Sequence, residues 1–287
     1  MVSLSQRITQ IVGQKPASLS PLSGGCIGDV QLVTLPDGQK LVAKSAPEET
    51  ETAKLLSIEA LMLNYLKNNT KFPIPTVRYE NNGLILMDFI ENSGTLTPGS
   101  QSHAADLVAQ LHAHKAPHYG FETDTVIGGL KQPNKWTSDW VVFFRDQRLL
   151  YMGMQAMDAG RLSFQDFVRL ENLAAKLDRW INDPLPPALV HGDLWGGNVL
   201  SLGDRIAGFI DPAIYYGDPE IELAFTTLFG TFGDPFFSRY NEIIPIREGF
   251  FEQRRALYNL YPLLVHVRLF GDSYVASVQH TLRKFGC

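Results

Sequence analysis

Cysteine is scarce in this chain of 287 residues, which contains only Cys26 and Cys287. Two cysteines cannot form the disulfide framework of a small secreted domain, so a cytoplasmic location is the simplest expectation. No apolar run reaches the roughly 20 residues of a membrane-spanning helix, and residues 1–10 lack the basic and apolar regions of a secretory signal. We therefore expect no membrane partner.

The chain also has no excess of basic residues. It contains 25 lysines and arginines against 30 aspartates and glutamates, which gives a formal net charge of −5. A mildly acidic chain does not offer the cationic surface that binds phosphates, so we expect no nucleic acid partner. Hydrophobic residues make up 45% of the sequence, enough for a sizeable core in one large domain or two lobes.

The most informative segment reads VHGDLWGGNVL at residues 190–200, followed by FIDP at 209–212. Phosphoryl transfer to a hydroxyl needs an acceptor for the hydroxyl proton and oxygen ligands for Mg²⁺, and kinase catalytic loops carry them at this spacing. Asp193 is therefore the candidate catalytic residue. Asn198 and Asp211 are the candidate Mg²⁺ ligands, because magnesium prefers hard oxygen donors. A polar loop that only shapes turns is the alternative, which the full constellation disfavours.

Residues before this segment supply a candidate nucleotide site. A predicted strand ends at Lys44 after a glycine loop with Gly24, Gly25 and Gly28, and Glu59 lies on the next predicted helix. In kinases a lysine so placed contacts the ATP phosphates, and a helical glutamate holds its ammonium group. The glycines leave room for phosphates against backbone N–H groups. Two solvated charges and an ordinary glycine turn are the alternatives.

Hydrophobic periodicity divides the chain into a strand-rich first third and a mainly helical remainder. Strands are predicted at residues 30–35, 41–44 and 83–90, with one helix at 49–67. Helices are then predicted at residues 102–114, 136–157, 163–181, 218–229 and 250–284. This order predicts an α+β fold with two lobes. It is the order expected of a protein-kinase-like fold, and the kinase identification itself comes from the family resemblance given below. A β-rich nucleotide-binding lobe would span residues 1–90, and a mainly helical lobe with the catalytic loop would span 91–287.

The segment HGDLWGGN resembles the signature of the fructosamine kinase (ketosamine-3-kinase) family, within the aminoglycoside phosphotransferase and choline kinase-like group. Trp195 distinguishes this family from the wider group, which shares the HGD and the asparagine but usually lacks the tryptophan. Further similarity lies in DPAIYYGDPE at 211–220, PNKW at 133–136 and LYNLY at 257–261. The resemblance extends from about residue 22 to 274.

The resemblance implies an ATP- and Mg²⁺-dependent kinase that phosphorylates the sugar 3-hydroxyl of ketosamines, which are adducts of a sugar with a small amine, an amino acid or a protein lysine. Such an enzyme would act in repair of glycated amines. The resemblance also implies that backbone groups of an inter-lobe hinge hold adenine. The hinge candidates are Met87, Asp88, Phe89, Ile90 and Glu91, with an ordinary buried strand as the alternative.

A ketosamine offers hydroxyls and a cationic amine, which aromatic faces and carboxylates suit. The candidate residues for this acceptor wall are Trp195, Tyr216, Glu220, Trp136 and His266. For Trp136 the alternative is a helical core stripe, because Trp140, Phe143 and Phe144 follow it at helical spacing.

Two other functions stay open at this point. A kinase of the same fold could act on another acceptor, such as an amino alcohol, an aminoglycoside or a sugar. A pseudokinase could bind nucleotide without turnover, although retention of Lys44, Asp193, Asn198 and Asp211 argues against it. Either a monomer or a homodimer fits the sequence.

Cys26 lies inside the predicted glycine loop, where backbone N–H dipoles would stabilise a thiolate and favour its oxidation. A redox switch that holds the loop away from the nucleotide is therefore one hypothesis. A small, partly apolar residue packed under the hairpin is the equally weighted alternative.

Overall fold

The computed structural model describes residues 3–22, 27–81 and 83–287. Gly24, Gly25 and Cys26 lie outside these residues, and so does the redox hypothesis on Cys26. Within the described ranges, no helix is both long enough and apolar enough to cross a bilayer.

The strands are β1 (Ser18–Pro21), β2 (Asp29–Thr34), β3 (Lys40–Ser45), β4 (Val77–Asn81), β5 (Leu84–Asp88), β6 (Thr125–Ile127), β7 (Leu130–Gln132), β8 (Ala188–Val190), β9 (Val199–Leu202), β10 (Arg205–Phe209) and β11 (Tyr215–Gly217). The α-helices are α1 (Leu4–Val12), α2 (Glu51–Asn69), α3 (Pro98–His112), α4 (Trp140–Phe144), α5 (Tyr151–Asp158), α6 (Phe164–Ala174), α7 (Glu220–Leu228), α8 (Asp234–Ile243), α9 (Arg255–Phe270) and α10 (Val275–Lys284). Two π-helical segments, Arg145–Leu150 and Phe250–Arg254, precede α5 and α9.

The chain divides into two compact units, and each is made of two stretches of sequence. Unit 1 comprises residues 1–100 and 197–212, and unit 2 comprises residues 101–196 and 213–287. The predicted boundary at residue 90 therefore differs from the observed division, which places the β9–β10 hairpin with the N-terminal sheet.

Unit 1 is built on an antiparallel sheet with the strand order β1-β2-β3-β5-β4. Alternate residues of β2, β3 and β5 point to one face, as strand geometry requires, and form a core with the α1 side chain Ile8. The buried members of this core are Ile8, Val33, Leu35, Leu41, Ala43, Leu84 and Leu86. The predicted strand-rich first third is confirmed.

Helix α2 contacts β3, β4 and β5. It begins after Thr50, whose hydroxyl accepts a hydrogen bond from the backbone N–H of Ala53 and caps the helix. The preceding Glu49 has a positive φ of 61° and cannot belong to the helix, which explains why α2 starts later than the predicted residue 49.

The β9–β10 hairpin belongs to unit 1 through several direct contacts. The Phe209 ring stacks on Phe72 with centroids 4.3 Å apart, and the Phe209 N–H donates to the Pro73 carbonyl at 2.8 Å. The Ser93 N–H donates to the Ser201 carbonyl at 2.7 Å. These contacts lie far apart in sequence, so the hydrophobic pattern alone did not reveal them.

Unit 2 is mainly helical, with the short ladders β6–β7 and β8–β11. The predicted helix at 136–157 begins at Trp140 instead, because the Asp139 side chain caps it by accepting the Val142 N–H. Trp136 therefore precedes the helix, whereas Trp140, Phe143 and Phe144 form the buried core stripe. The predicted helix at 250–284 is interrupted after Phe270 at Gly271, whose φ is +83°.

Candidate active site

The segment that carries Asp193 is a tight turn in unit 2, directly after β8. Gly192 has a φ of +84°, and a Cβ placed there would lie 2.1 Å from the Ala213 carbonyl oxygen. The Ala213 N–H donates to the His191 carbonyl at 2.7 Å, so the two segments pack backbone to backbone. Only glycine satisfies both constraints at position 192, which explains the HGD sequence physically.

Asp193 itself is half-buried, and its backbone N–H donates to Nδ1 of the buried His191 at 3.3 Å. His191 thus acts as a hydrogen-bonding residue within the turn. The side chain of Asp193 keeps partial exposure, as a group that meets a substrate hydroxyl needs.

Asn198 and Asp211 lie at the same end of the β9–β10 hairpin in unit 1. Asn198 directly precedes β9 and Asp211 follows β10 closely, and the Ile210 N–H donates to the Asn198 carbonyl at 3.1 Å. Asp211 has a φ of +52°, a conformation that costs energy for a residue other than glycine and occurs often at functional sites. One carboxylate and one amide oxygen at one hairpin end fit Mg²⁺, which takes few protein ligands when phosphates supply the others.

The described residues contain no group of three or more His, Cys, Asp or Glu side chains arranged to hold a metal ion.

Lys44 lies at the centre of a buried charge cluster in unit 1. Its Nζ is 2.6 Å from Glu59 Oε1 and 2.6 Å from Asp211 Oδ1. Burial acts to lower the pKa of Lys44, but the Glu59 and Asp211 carboxylates outweigh it and raise that pKa, so the ammonium keeps its charge. The structure thus brings together the predicted lysine, its helical glutamate and one predicted Mg²⁺ ligand.

Gly28 and the hinge candidates occupy the ends of strands in unit 1. A Cβ on Gly28 would lie 2.6 Å from the Ser45 carbonyl oxygen, so this glycine permits the close approach of β2 to the end of β3. Asp88 is the last residue of β5, and the Arg78 guanidinium binds its carboxylate at 2.7 and 3.0 Å.

Beyond Asp88 the chain leaves the sheet, as a nucleotide-binding hinge requires. Met87 is buried, Phe89 and Ile90 are half-buried, and Glu91 pairs with Lys40 at 2.7 Å.

Two of the predicted acceptor residues, Trp195 and His266, belong to one aromatic group in unit 2. The Phe229 ring contacts both, with centroids 6.0 Å from Trp195 and 4.9 Å from His266. Phe270 and Tyr274 extend the group on the other side of His266, at 5.6 and 4.9 Å. Trp195 is 39% exposed and Phe229 is 40% exposed, so aromatic faces remain accessible close to Asp193 in the chain.

His266 contributes an apolar surface to this group. Its Nδ1 lies 2.7 Å from the Pro262 carbonyl, to which it donates, and burial lowers the pKa of the imidazole. A neutral ring therefore faces its aromatic neighbours at neutral pH. Phe229, Phe270 and Tyr274 were not predicted, because their contacts with Trp195 or His266 arise only in the folded structure.

Trp136 and Tyr216 form a second aromatic pair, with ring centroids 6.1 Å apart. Trp136 is 39% exposed and Tyr216 is half-buried, with the Phe121 ring on Tyr216 at 6.5 Å. Trp136 therefore does not belong to the buried helical stripe, which was the alternative to a role in the acceptor wall.

Glu220 lies in a buried ion cluster, a placement that does not favour its predicted role in the acceptor wall. Its side chain is 1% exposed, and its carboxylate binds Arg254 at 2.6 and 3.0 Å and Arg247 at 3.1 and 3.0 Å. Both oxygens are engaged with guanidinium groups, so no oxygen remains for a substrate amine. Local sequence placed Glu220 beside Tyr216, but it did not reveal the two arginines.

Asp218 lies in the same cluster and gives a testable pH dependence. Burial raises the pKa of Asp218 to about 6, against the opposing charge of Arg247. Between about pH 4 and 6 the folded state therefore binds a proton that the unfolded state has lost, so this group's contribution to stability falls as pH rises. On lowering the pH from 7 to 5, the wild type should gain about 1 kcal/mol of unfolding free energy relative to Asp218→Asn.

Urea unfolding of both proteins at pH 5, 6 and 7 measures this difference. Parallel stability curves for the wild type and Asp218→Asn would contradict a raised pKa at this carboxyl.

Solved structures define the class of protein to which this fold and these residues belong. A Thermobifida fusca protein provisionally named fructosamine-3-kinase superposes with a TM-score of 0.85 at 33% identity, covering 99% of this chain and 98% of that one. The ADP-bound aminoglycoside phosphotransferase APH(2'')-Ib has a TM-score of 0.66 at 18% identity, covering 96% and 95% of the two chains. The chain therefore has the kinase-like fold of small-molecule phosphotransferases.

The family model described as fructosamine kinase matches residues 1–285, so the chain belongs to the fructosamine kinase family, whose members use ATP. A probable ketoamine kinase of Synechocystis is 34% identical over 98% of this chain and 95% of its own length. The chloroplastic protein-ribulosamine 3-kinase of Oryza sativa subsp. indica is 33% identical over 94% of this chain and 79% of its own length.

Proposed function

We propose that this chain transfers phosphate from ATP to the sugar 3-hydroxyl of ketosamines, with Asp193 as catalytic residue and Mg²⁺ as cofactor. Family membership supports the acceptor class, and the rice relative is named a protein-ribulosamine 3-kinase. The observation that carries the proposal is the Lys44 ammonium, held at 2.6 Å by both Glu59 and Asp211. In kinases a lysine so placed contacts the ATP phosphates, and the helical glutamate holds its ammonium group.

The residues divide the chemistry between them. Lys44, kept charged by its two carboxylates, would contact phosphate oxygens, and oxygens of Asn198 and Asp211 would hold Mg²⁺. Bound ATP and Mg²⁺ would supply the phosphoryl group and neutralise the negative charge on it. Asp193 would orient the acceptor hydroxyl and accept its proton, for which position matters more than base strength.

The acceptor wall follows from the aromatic group around Trp195. Exposed rings of Trp195 and Phe229 offer faces to the sugar and to the cationic amine of a ketosamine. Glycated protein lysines and small glycated amines share this chemistry, so both are candidate substrates. We propose a cytoplasmic location on the low cysteine content, whereas the rice relative is named chloroplastic.

We expect ribulosamine and fructosamine adducts of a small amine to show a kcat/KM at least about tenfold higher than free ribose, choline or kanamycin. The amine adduct adds a charge and contact area, and lost contacts of this kind reduce transition-state binding. Steady-state assays of ADP release on this panel of acceptors measure the preference.

Trp195→Ala provides the matched test, because it removes an exposed ring without opening the core. Its ketosamine preference should fall, whereas its KM for ATP should stay within about twofold of the wild-type value. If the wild-type protein instead prefers choline or kanamycin, it is a kinase of the same fold with another acceptor.

A further inference from the structure

A buried row of hydrogen bonds ends at the backbone N–H of Gly192, the residue before Asp193. The Gly192 N–H donates to Glu222 Oε1 at 2.8 Å, and Glu222 Oε2 lies 2.8 Å from His112 Nε2. His112 Nδ1 lies 2.7 Å from the Tyr240 hydroxyl. Glu222, His112 and Tyr240 come from α7, α3 and α8 and are at most 2% exposed. These hydrogen bonds thus connect three helices of unit 2 to the turn at residues 191–193, called the catalytic turn below.

The charges along the row favour one arrangement of protons. Burial acts to raise the pKa of Glu222, but His112, His191 and the Gly192 N–H outweigh it and lower that pKa, so the carboxylate is ionised. Burial raises the pKa of Tyr240, so its hydroxyl stays protonated and forms a hydrogen bond with His112 Nδ1. His112 Nε2–H then donates to Glu222, so each polar atom along the row has a partner.

The position of Gly192 gives this row a direct effect on Asp193. The Gly192 N–H bond to Glu222 adds a charged hydrogen bond, stronger than a neutral one, to the backbone contacts between residues 191 and 213. The turn is thereby fixed on both sides of Gly192. A displacement of about 1 Å at a reacting group can lower a rate about 100-fold, so this support affects chemistry as well as folding.

We propose that Glu222 is a positioning residue for Asp193, and that His112 and Tyr240 hold Glu222 in the orientation that binds the Gly192 N–H. The proposal rests on the proposed function, in which Asp193 accepts the hydroxyl proton. It adds to that function a set of buried residues that act on the reaction without touching the substrate.

Glu222→Gln is the first test, because it keeps a side chain of the same size and an oxygen for Gly192. The variant loses the negative charge and places an amide NH₂ against the His112 N–H. We expect kcat for a ribulosamine to fall about tenfold to 100-fold, with KM for ATP within about twofold of wild type. A kcat within twofold of the wild-type value would overturn the proposal.

Glu222→Gln introduced into the Asp193→Ala variant distinguishes a positioning role of Glu222 from a general loss of stability. A residue that acts through Asp193 loses its effect once Asp193 is gone, so Glu222→Gln should lower the residual activity of Asp193→Ala by less than about twofold. Transfer of radiolabelled phosphate from ATP to the ribulosamine measures this residual activity. An equal loss in both backgrounds would show a structural role and overturn the proposal.

Asp166→Asn is the matched control, since Asp166 is also a largely buried carboxylate of unit 2. It binds Ser163, Arg169 and Gln279, all away from the catalytic turn. At an equal folded fraction, measured by circular dichroism, its kcat should stay within about twofold of wild type. A loss in Asp166→Asn as large as that in Glu222→Gln would overturn the proposal.

Tyr240→Phe tests the far end of the row and serves if Glu222→Gln does not fold. It leaves the Glu222–Gly192 bond in place, so we expect a smaller loss of kcat, about twofold to fivefold, that disappears in the Asp193→Ala background. An unchanged kcat in a folded Tyr240→Phe protein, with Glu222→Gln unfolded, would overturn the proposal.

These outcomes are distinguishable from failure of the proposed function. If Asp193→Ala retains wild-type kcat, the catalytic assignment fails and the positioning role fails with it. If Asp193→Ala loses activity while folded Glu222→Gln and Tyr240→Phe do not, only the positioning role is wrong.

Discussion

Asp193→Ala is expected to lower kcat for a ribulosamine by about 100-fold or more, while KM for ATP changes by less than about twofold. Asp193 lies in unit 2, whereas Lys44, Asn198 and Asp211 lie in unit 1, so the substitution leaves the proposed nucleotide residues intact. Steady-state kinetics with ATP and acceptor varied in turn measure both constants.

Asp193→Asn gives the matched comparison, because it keeps the size of the side chain and one acceptor oxygen. An amide does not accept the hydroxyl proton, so this variant should be nearly as slow as Asp193→Ala. Wild-type turnover in either variant would show that another group accepts the proton.

Lys44→Met is expected to lower both activity and stability strongly. The loss of a charge aimed at phosphate oxygens should reduce kcat about 100-fold. The same change leaves the buried Glu59 without its partner at 2.6 Å, which should lower the unfolding free energy by about 3 kcal/mol or more. Assays of ATP turnover and denaturant unfolding measure the two effects separately.

The double variant Lys44→Met with Glu59→Met separates these two roles of the ion pair. Replacement of a buried ion pair by apolar residues often restores stability, so the double variant should be more stable than Lys44→Met alone. Its activity should stay low, because no ammonium group remains. A double variant that is no more stable than Lys44→Met, or a Lys44→Met protein with wild-type turnover, would contradict this account.

The sequence predicted the residues whose spacing is set by the reaction. Asp193, Asn198 and Asp211 lie within one short segment, and Lys44 ends a strand that its apolar alternation identifies. The structure pairs Lys44 with Glu59 as that pattern indicates, and it adds a contact between Lys44 and Asp211 that the pattern did not indicate. Their catalytic and binding roles stay predictions until the variants are measured.

The supporting residues could not be predicted in the same way. His112 lies 110 positions from Glu222 and 128 from Tyr240, and no local pattern connects such residues. The one available signal was an acidic side chain in the apolar helix α7, because a buried carboxylate requires partners. That signal applied equally to Glu220, whose partners are arginines and whose burial among them does not favour the predicted contact with substrate.

The composition of unit 1 has a consequence for how the chain folds during synthesis. Lys44 emerges early from the ribosome, but Asp211 and the Phe209 ring that stacks on Phe72 emerge only after the whole intervening stretch of unit 2. The Phe72 ring, which is buried in the folded protein, is therefore expected to stay exposed in the nascent chain until the hairpin has been made. A fragment ending at residue 100 is expected to be prone to aggregation, and a nascent chain should become resistant to protease in its first hundred residues only once residue 212 has left the exit tunnel.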